Sequence, residues 1–162
     1  METVSKTKLT RAEQLSGRLR LPGDKSISHR AAMIAAIASG NSTIYNFSTA
    51  VDCSSTLHCL QQLGVEIERT GNTVHIGGGQ PLIPPTSVLD CGNSGSTMRI
   101  LAGLLASQNF TSMLSGDSSL SSRPMGRIIE PLELMGARIE SQSGKPPLTI
   151  HGSADVKPID YT

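Results

Sequence analysis

Apolar residues along this chain alternate between short β-branched runs and longer stretches rich in Ala, Leu and Ile, and the alternation occurs twice. The first long stretch, about Ser28–Ser39, is apolar almost all round, which predicts a helix buried on most of its surface. The second, Ser94–Ser107, predicts its counterpart. A short apolar strand (Leu19–Leu21; Val88–Cys91) and a Gly-containing turn precede each helix, and a β-branched strand (Ser42–Asn46; Thr111–Ser115) follows it. A second helix comes next in each half. In the first half it starts at an Asp52 or Ser54 cap and stops at Gly64, a left-handed position where glycine carries no Cβ penalty. In the second half Ser122 caps, Pro124 occupies the first turn, Pro131 kinks the helix and Gly136 ends it. Two strands close each half: Val65–Arg69 and Thr73–Ile76 across Thr70-Gly71-Asn72, then Ala137–Ser141 and Leu148–His151 across a Pro/Gly loop.

The order β-α-β-α-β-β therefore occurs twice, and the letters repeat with it. PGDKSISHRAAMIAAIASGNSTIYN (22–46) aligns with CGNSGSTMRILAGLLASQNFTSMLS (91–115), placing Gly23 and Arg30 on Gly92 and Arg99. LGVEI (63–67) matches MGARI (135–139), and HIGG (75–78) loosely matches IHGS (150–153). Four landmarks in order point to a duplicated unit. The units are expected at 19–79 and 88–153, with 80–87 as linker and 154–162 opening a third, incomplete copy. Alternating helices and strands predict an α/β layer with helices inside and sheets around them.

Composition narrows the chemistry. A chain of 162 residues can bury about 70% of its unfolded surface. Only 2% of residues are aromatic and none is Trp, so aliphatic side chains and Met fill the core and stacking on nucleobases is disfavoured. Fourteen Lys+Arg against thirteen Asp+Glu, without a basic block, lack the footprint of a nucleic-acid or membrane-surface binder. Cys53, Cys59 and Cys91 fit no zinc spacing and read as buried free thiols of a soluble, cytoplasmic protein, and the sequons at Asn41, Asn46 and Asn109 carry no meaning there. Any anionic partner must be met locally.

Two places meet that demand. In Leu21-Pro22-Gly23-Asp24-Lys25-Ser26-Ile27-Ser28-His29-Arg30, the cations Lys25 and Arg30 stand at the start of a predicted helix beside the Ser26 hydroxyl. A helix N-terminus already carries partial positive charge and unpaired N–H groups, so cations there oppose the dipole unless an anion lies between them. The competing reading pairs Arg30 with Asp24 or Asp52 at a solvated helix start. In Cys91-Gly92-Asn93-Ser94-Gly95-Ser96-Thr97-Met98-Arg99 the design recurs, with glycines that admit a ligand to the backbone and Asn93 able to donate and accept. Arg123, in SSRPMGR (121–127), is expected at a third helix start. A P-loop is excluded because Asp24 and Leu19 occupy its required glycines. His29, His58, His75 and His151 are scattered and read as surface or capping residues, and Asp24, Asp52 and Asp117 as caps and turn residues.

LPGDKSISHRA (21–31), DCGNSGSTMR (90–99) and SSRPMGRIIEPLELMGA (121–137), three separated motifs in order, resemble the 5-enolpyruvylshikimate-3-phosphate synthase family of enolpyruvyl transferases. The resemblance covers about Leu19 to Ser153, the N-terminal part of a protein more than twice as long. It implies an inside-out α/β barrel of three β-α-β-α-β-β units per domain, with residues 1–18 belonging to the opposite domain. It further implies transfer of the enolpyruvyl group of phosphoenolpyruvate to the 5-hydroxyl of shikimate 3-phosphate, with release of phosphate and no metal or organic cofactor. Carried over by position, Lys25 touches both substrates, Ser26 and Arg30 hold shikimate 3-phosphate, Asn93, Gly95 and Arg123 line the phosphoenolpyruvate side, and Asp52 and Arg99 support the site. Gly95 keeps the small residue whose replacement by Ala in some members obstructs glyphosate, while Ser96 and Ile100 stand where many members have Thr and Pro. The family's Ser-Ser/Ala-Gln phosphate grip and the acid/base groups of the opposite domain would fall beyond Thr162, so the resemblance implies a polypeptide that does not turn over alone and that a second polypeptide could complement. The rivals are a UDP-N-acetylglucosamine enolpyruvyl transferase, whose Cys-bearing loop has no counterpart at Leu120–Arg123, and a non-catalytic anion-binding or complementation fragment.

Overall fold

A computed structural model describes residues 7, 8, 11–14 and 16–161. Of the N-terminal segment 1–18, residues 1–6, 9, 10 and 15 lie outside the described residues. The first half contains α1 (Lys25–Ile37), β1 (Gly40–Ile44), α2 (Val51–Gln62), β2 (Glu66–Thr70) and β3 (Thr73–Gly78). Its sheet is antiparallel in the order β1-β3-β2. The second half contains β4 (Leu89–Asp90), α3 (Gly95–Ala106), β5 (Thr111–Ser115), α4 (Ser118–Ser121), α5 (Gly126–Leu134), β6 (Arg138–Gln142) and β7 (Lys145–His151). Its sheet runs β4-β5-β7-β6, with β4 parallel to β5 and the other pairs antiparallel. Helices pack on one side of these sheets, and the α/β class expected from the alternation holds.

Both halves close alike. Thr43 faces His75 across β1 and β3, with Thr43 Oγ1 and His75 Nδ1 3.0 Å apart, and Thr111 faces His151 across β5 and β7 at 3.1 Å. Gly78 lies so close beneath the Ala35 and Ala38 carbonyls that a Cβ would overlap both, and Gly152 lies likewise beneath those of Leu105 and Gln108. Only a residue without a side chain lets the closing strand pass under the helix end there.

The halves also differ from the expected pattern. Leu19–Leu21 forms no strand: Leu19 is 84% exposed, and with no apolar burial and no N–H from Pro22, nothing draws this stretch onto the edge of β1. In the second half Leu89 is fully buried opposite Leu114, and the parallel pair forms. The second helix of the first half is capped by neither Asp52 nor Ser54; Ala50 precedes it without a side-chain cap, and Asp52 lies inside its first turn. Ser122 does not cap the next helix, because Asp117 caps a separate one-turn helix, α4, that Ser122 terminates. Pro124 accordingly precedes α5, which starts at Gly126, and Pro131 is accommodated within it. The final turn is Ser143-Gly144, both at positive φ, and Pro146 and Pro147 belong to β7. Gly64 and Gly136 follow their helices at positive φ, as expected.

The core joins both halves through Ala32, Ala36, Leu60, Met98, Leu101 and Leu105. The expectation that α1 is buried on most of its surface fails on one stripe. Ile27, Ile34 and Ile37 are 61%, 62% and 55% exposed, spaced to share a face that no element among the described residues covers. The three cysteines are buried and free, with the Cys91 thiol held protonated by its hydrogen bond with Cys59 and by burial.

Candidate functional site: a cluster of cations at two helix starts

At the start of α1, Asp24 is the N-cap, its carboxylate accepting from Ile27 N at 2.7 Å. Ser28 Oγ donates to the Asp24 carbonyl at 2.7 Å and accepts from Ser48 N at 3.0 Å, which ties the segment entering α2 onto α1. This brings Asp52, in the first turn of α2, to Lys25, the first residue of α1. Lys25 Nζ donates to Asp52 Oδ2 at 2.8 Å in a pair that remains partly open to solvent. The hydrogen bond and charge of Asp52 raise the Lys25 ammonium above its ordinary value, and Arg123 opposes this, so cations from the two halves sense each other's field. The alternative pairing of Arg30 with Asp24 or Asp52 is not adopted. Asp24 is spent on its cap and Asp52 on Lys25, while Arg30 and Ser26 are exposed and Arg30 has no acidic partner among the described residues.

At the start of α3, Ser94 is the N-cap, accepting from Thr97 N at 3.1 Å, and Gly95 is the first helical residue. A Cβ on Gly95 would meet Arg99 Nη1 at 2.7 Å and Arg123 Nη1 at 3.4 Å, so the glycine forms a floor over which two guanidinium groups converge. Arg99 Nη2 donates to the Pro124 carbonyl at 3.5 Å. Arg123 Nη2 donates to Asn93 Oδ1 at 2.6 Å and Asn93 Nδ2 donates to Asp117 Oδ2 at 2.7 Å, an amide bridging cation and anion. Asp117 also accepts from Leu120 N at 2.8 Å; the Asn93 bond and then this one hold its carboxyl below the usual carboxylate range.

The sequence suggested Arg123 at a helix start, but it follows Ser122, the C-cap of α4, in the turn into α5, because Pro124 cannot continue a helix through that point. Arg30 holds the place on α1 that Arg99 holds on α3: Ser28, His29, Ala32, Met33 and Ala36 are buried on one helix, and Thr97, Met98, Leu101, Ala102 and Leu105 at the same spacing on the other. Arg99 thus lies one turn above Gly95, and Arg30 one turn above Ser26. The structure brings Lys25, Asp52, Asn93, Gly95, Arg99 and Arg123 into one neighbourhood, and leaves Ser26 and Arg30 together on the adjoining open face of α1.

Sequence reasoning missed Asp117 as the anchor of Asn93, having read it only as a cap; nothing in the letters marks that second role. It also misplaced His29. That ring is fully buried, and burial pushes its pKa below 6.5, against Asp52 and aided by Lys25. A groove of about 550 Å³ lined by Ser55, His58, Gln61, Gln62, Asp90 and Gly92 carries a carboxylate and no Lys or Arg, the wrong charge for an anion. Among the described residues no cluster of three or more His, Cys, Asp or Glu side chains could hold a metal ion, and no helix is long and apolar enough to cross a membrane.

The sequence model of the family described as EPSP synthase (3-phosphoshikimate 1-carboxyvinyltransferase) matches residues 9–162. A 3-phosphoshikimate 1-carboxyvinyltransferase of Solibacter usitatus is 52% identical over 158 residues, covering 96% of this chain and 37% of the relative. One from Geobacillus kaustophilus is 48% identical over 157 residues, covering 94% and 36%. The solved EPSP synthase of Acinetobacter baumannii superposes with a TM-score of 0.85 at 44% identity, over 90% of this chain and 34% of that one. The chain thus spans little more than a third of the length of these relatives.

Proposed function

Since the chain belongs to the EPSP synthase family, we propose that it supplies the anion-binding part of an enolpyruvyl transfer from phosphoenolpyruvate to the 5-hydroxyl of shikimate 3-phosphate. The hydroxyl oxygen bonds to C2 of phosphoenolpyruvate as its proton leaves and C3 takes one up; loss of a C3 proton and of phosphate from C2 then restores the double bond. The observation that carries the reading is the convergence of Arg99 and Arg123 over Gly95 at the start of α3, beside the start of α1 where Asp52 holds Lys25. Among the described residues the carboxylates bonded into this group of three cations are Asp52 and Asp117, which leaves net positive charge for two polyanionic substrates, and donors fixed before the substrate arrives stabilise developing charge without reorganisation. Lys25 lies between the two substrates and exchanges Asp52 for a substrate anion. Ser26 and Arg30 take shikimate 3-phosphate on the open face of α1. Asn93, Gly95 and Arg123 take phosphoenolpyruvate, and Asp52 and Arg99 support them.

None of these groups is assigned a proton transfer, so the chain alone binds substrates and turnover requires the remaining part of the protein. Residues 19–79 and 88–153 are two of three units of one domain, with 80–87 between them, 1–18 given to the opposite domain and 154–162 opening the third. Three free thiols suit a cytoplasmic setting. Calorimetry tests the reading: shikimate 3-phosphate binds, and phosphoenolpyruvate binds more tightly in its presence. Binding of neither, or of a UDP-sugar instead, overturns it, and phosphate release by the isolated chain at the rate of a whole enzyme overturns the division of labour.

A further inference from the structure

Where α1, α2 and α3 meet, four polar side chains that are all fully buried form one hydrogen-bonded chain. His29 Nδ1 in α1 lies 2.6 Å from Thr56 Oγ1 in α2, and Thr56 Oγ1 lies 2.7 Å from Thr97 Oγ1 in α3. Thr97 Oγ1 lies 2.8 Å from Ser94 Oγ and 3.2 Å from the carbonyl oxygen of Asp52. At its Thr97 end this chain branches to two parts of the cation cluster, and its other end, His29, lies one turn after Lys25 on α1. Ser94 caps the helix that begins with Gly95, and Asp52 holds Lys25 through its carboxylate while its carbonyl accepts from Thr97. Buried polar groups bring a desolvation penalty that Val and Phe of similar shape would avoid, so stability alone does not account for four in a row.

The protons can be assigned. Thr97 Oγ1 donates toward two acceptors, Ser94 Oγ, which also accepts from Thr97 N, and the Asp52 carbonyl oxygen. Its single hydroxyl proton is spent on that side, so toward Thr56 it can only accept. Thr56 then donates to Thr97, and His29 must donate to Thr56 from Nδ1. This order leaves at His29 Nε2, which has no partner among the described residues, a lone pair instead of an N–H, the less costly group to leave unpaired.

We propose that this chain is a positioning device that holds the two anion subsites in register, with His29 and Thr97 as positioning residues, so that occupation of one subsite strengthens the other. The proposal rests on the functional reading above. An anion that draws Lys25 from Asp52 moves the first turn of α2, and the Asp52 carbonyl passes that movement through Thr97 to the Ser94 cap and hence to Gly95 and Asn93. Such coupling through packed, hydrogen-bonded side chains commonly changes affinity by about 5- to 150-fold.

Two measurements on the full chain test it. Nitrogen-15 NMR of the free protein should show His29 neutral with its proton on Nδ1; a proton on Nε2, or a doubly protonated ring, overturns the assigned chain. Calorimetry with phosphoenolpyruvate, with and without saturating shikimate 3-phosphate, should show a gain of about tenfold in the wild type. Thr97→Val should reduce the gain to less than about twofold while changing each ligand's separate affinity by less than about threefold, and Thr97→Ser should restore it. A gain retained in Thr97→Val overturns this inference alone; binding of neither ligand to the wild type overturns the functional reading and this inference with it.

Discussion

At the start of α1 a lysine is held by a carboxylate from another helix, Lys25 by Asp52 at 2.8 Å, whereas near the start of α3 an amide stands between the charges, with Arg123 and Asp117 on either side of Asn93. The first arrangement presents a point charge on a flexible stem that an incoming anion can detach. The second presents a planar fork whose orientation is set by the amide, whose orientation is set in turn by a helix cap. Both halves carry positive charge near a helix start and hold it differently: one ion pair across two helices on the α1 side, a fixed amide bridge on the α3 side.

The largest test of this contrast is Arg123→Ala, which removes the fork and leaves Asn93 Oδ1 unpaired. Phosphoenolpyruvate affinity by calorimetry should fall about 30-fold, the equivalent of about 2 kcal/mol for a charge-assisted hydrogen bond. Arg123→Lys should recover little of it; full recovery would mean that the α3 side needs only charge and that the two sides do not differ in kind. Asp117→Asn should cost about tenfold in the same measurement, because the Asn93 amide loses the carboxylate that orients it. Asparagine still caps Leu120 N, so the thermal midpoint should reflect a loss of less than about 1 kcal/mol. An equal fall in stability and affinity would show that Asp117 serves the fold alone.

Acidity probes the first half. His29 is depressed below 6.5 by burial, so the unfolded chain binds its proton first. Its contribution to stability is complete above 6.5 and is lost as the pH falls from there through the lower folded value. Thermal melts should therefore show stability decreasing on acidification below 6.5, and His29→Asn should flatten that part of the profile; an unchanged profile would place the loss elsewhere. The Lys25 ammonium, raised by Asp52, should return toward 10.5 in Asp52→Asn when followed by NMR. The smallest effect is expected from Gly95→Ala. Its Cβ meets the mobile ends of Arg99 and Arg123 rather than backbone, so the fold should lose less than about 1 kcal/mol while phosphoenolpyruvate binding weakens. A large loss of stability there would show that the two guanidinium groups cannot yield.

The elements were legible where a local rule sufficed: the two apolar helices, the glycines at positive φ after α2 and α5, and the closing hairpins all follow from spacing and backbone preference. Misreadings came where a local rule had two solutions. Asp117 and Ser122 are both good caps, and the choice between them depended on an extra turn, α4, that no periodicity reveals in four residues. Leu19–Leu21 has the letters of a strand, but a strand exists only through its neighbour. His29 lies in an exposed-looking motif between Ser28 and Arg30, yet it points inward because helix rotation gives adjacent residues different surroundings.

By itself the order of residues determined that two similar units place positive charge after glycine-containing turns, since turn chemistry, helix periodicity and charge are properties of neighbours in the chain. Only the tertiary structure decided which cation meets which anion. Lys25 and Asp52 are 27 residues apart, and Asn93 and Arg123 are 30 apart. Such pairs form when packing brings distant helices together: Arg99 and Arg30 hold matching places on α3 and α1, yet Arg99 converges over Gly95 with Arg123 from the turn after α4, whereas Arg30 stays exposed.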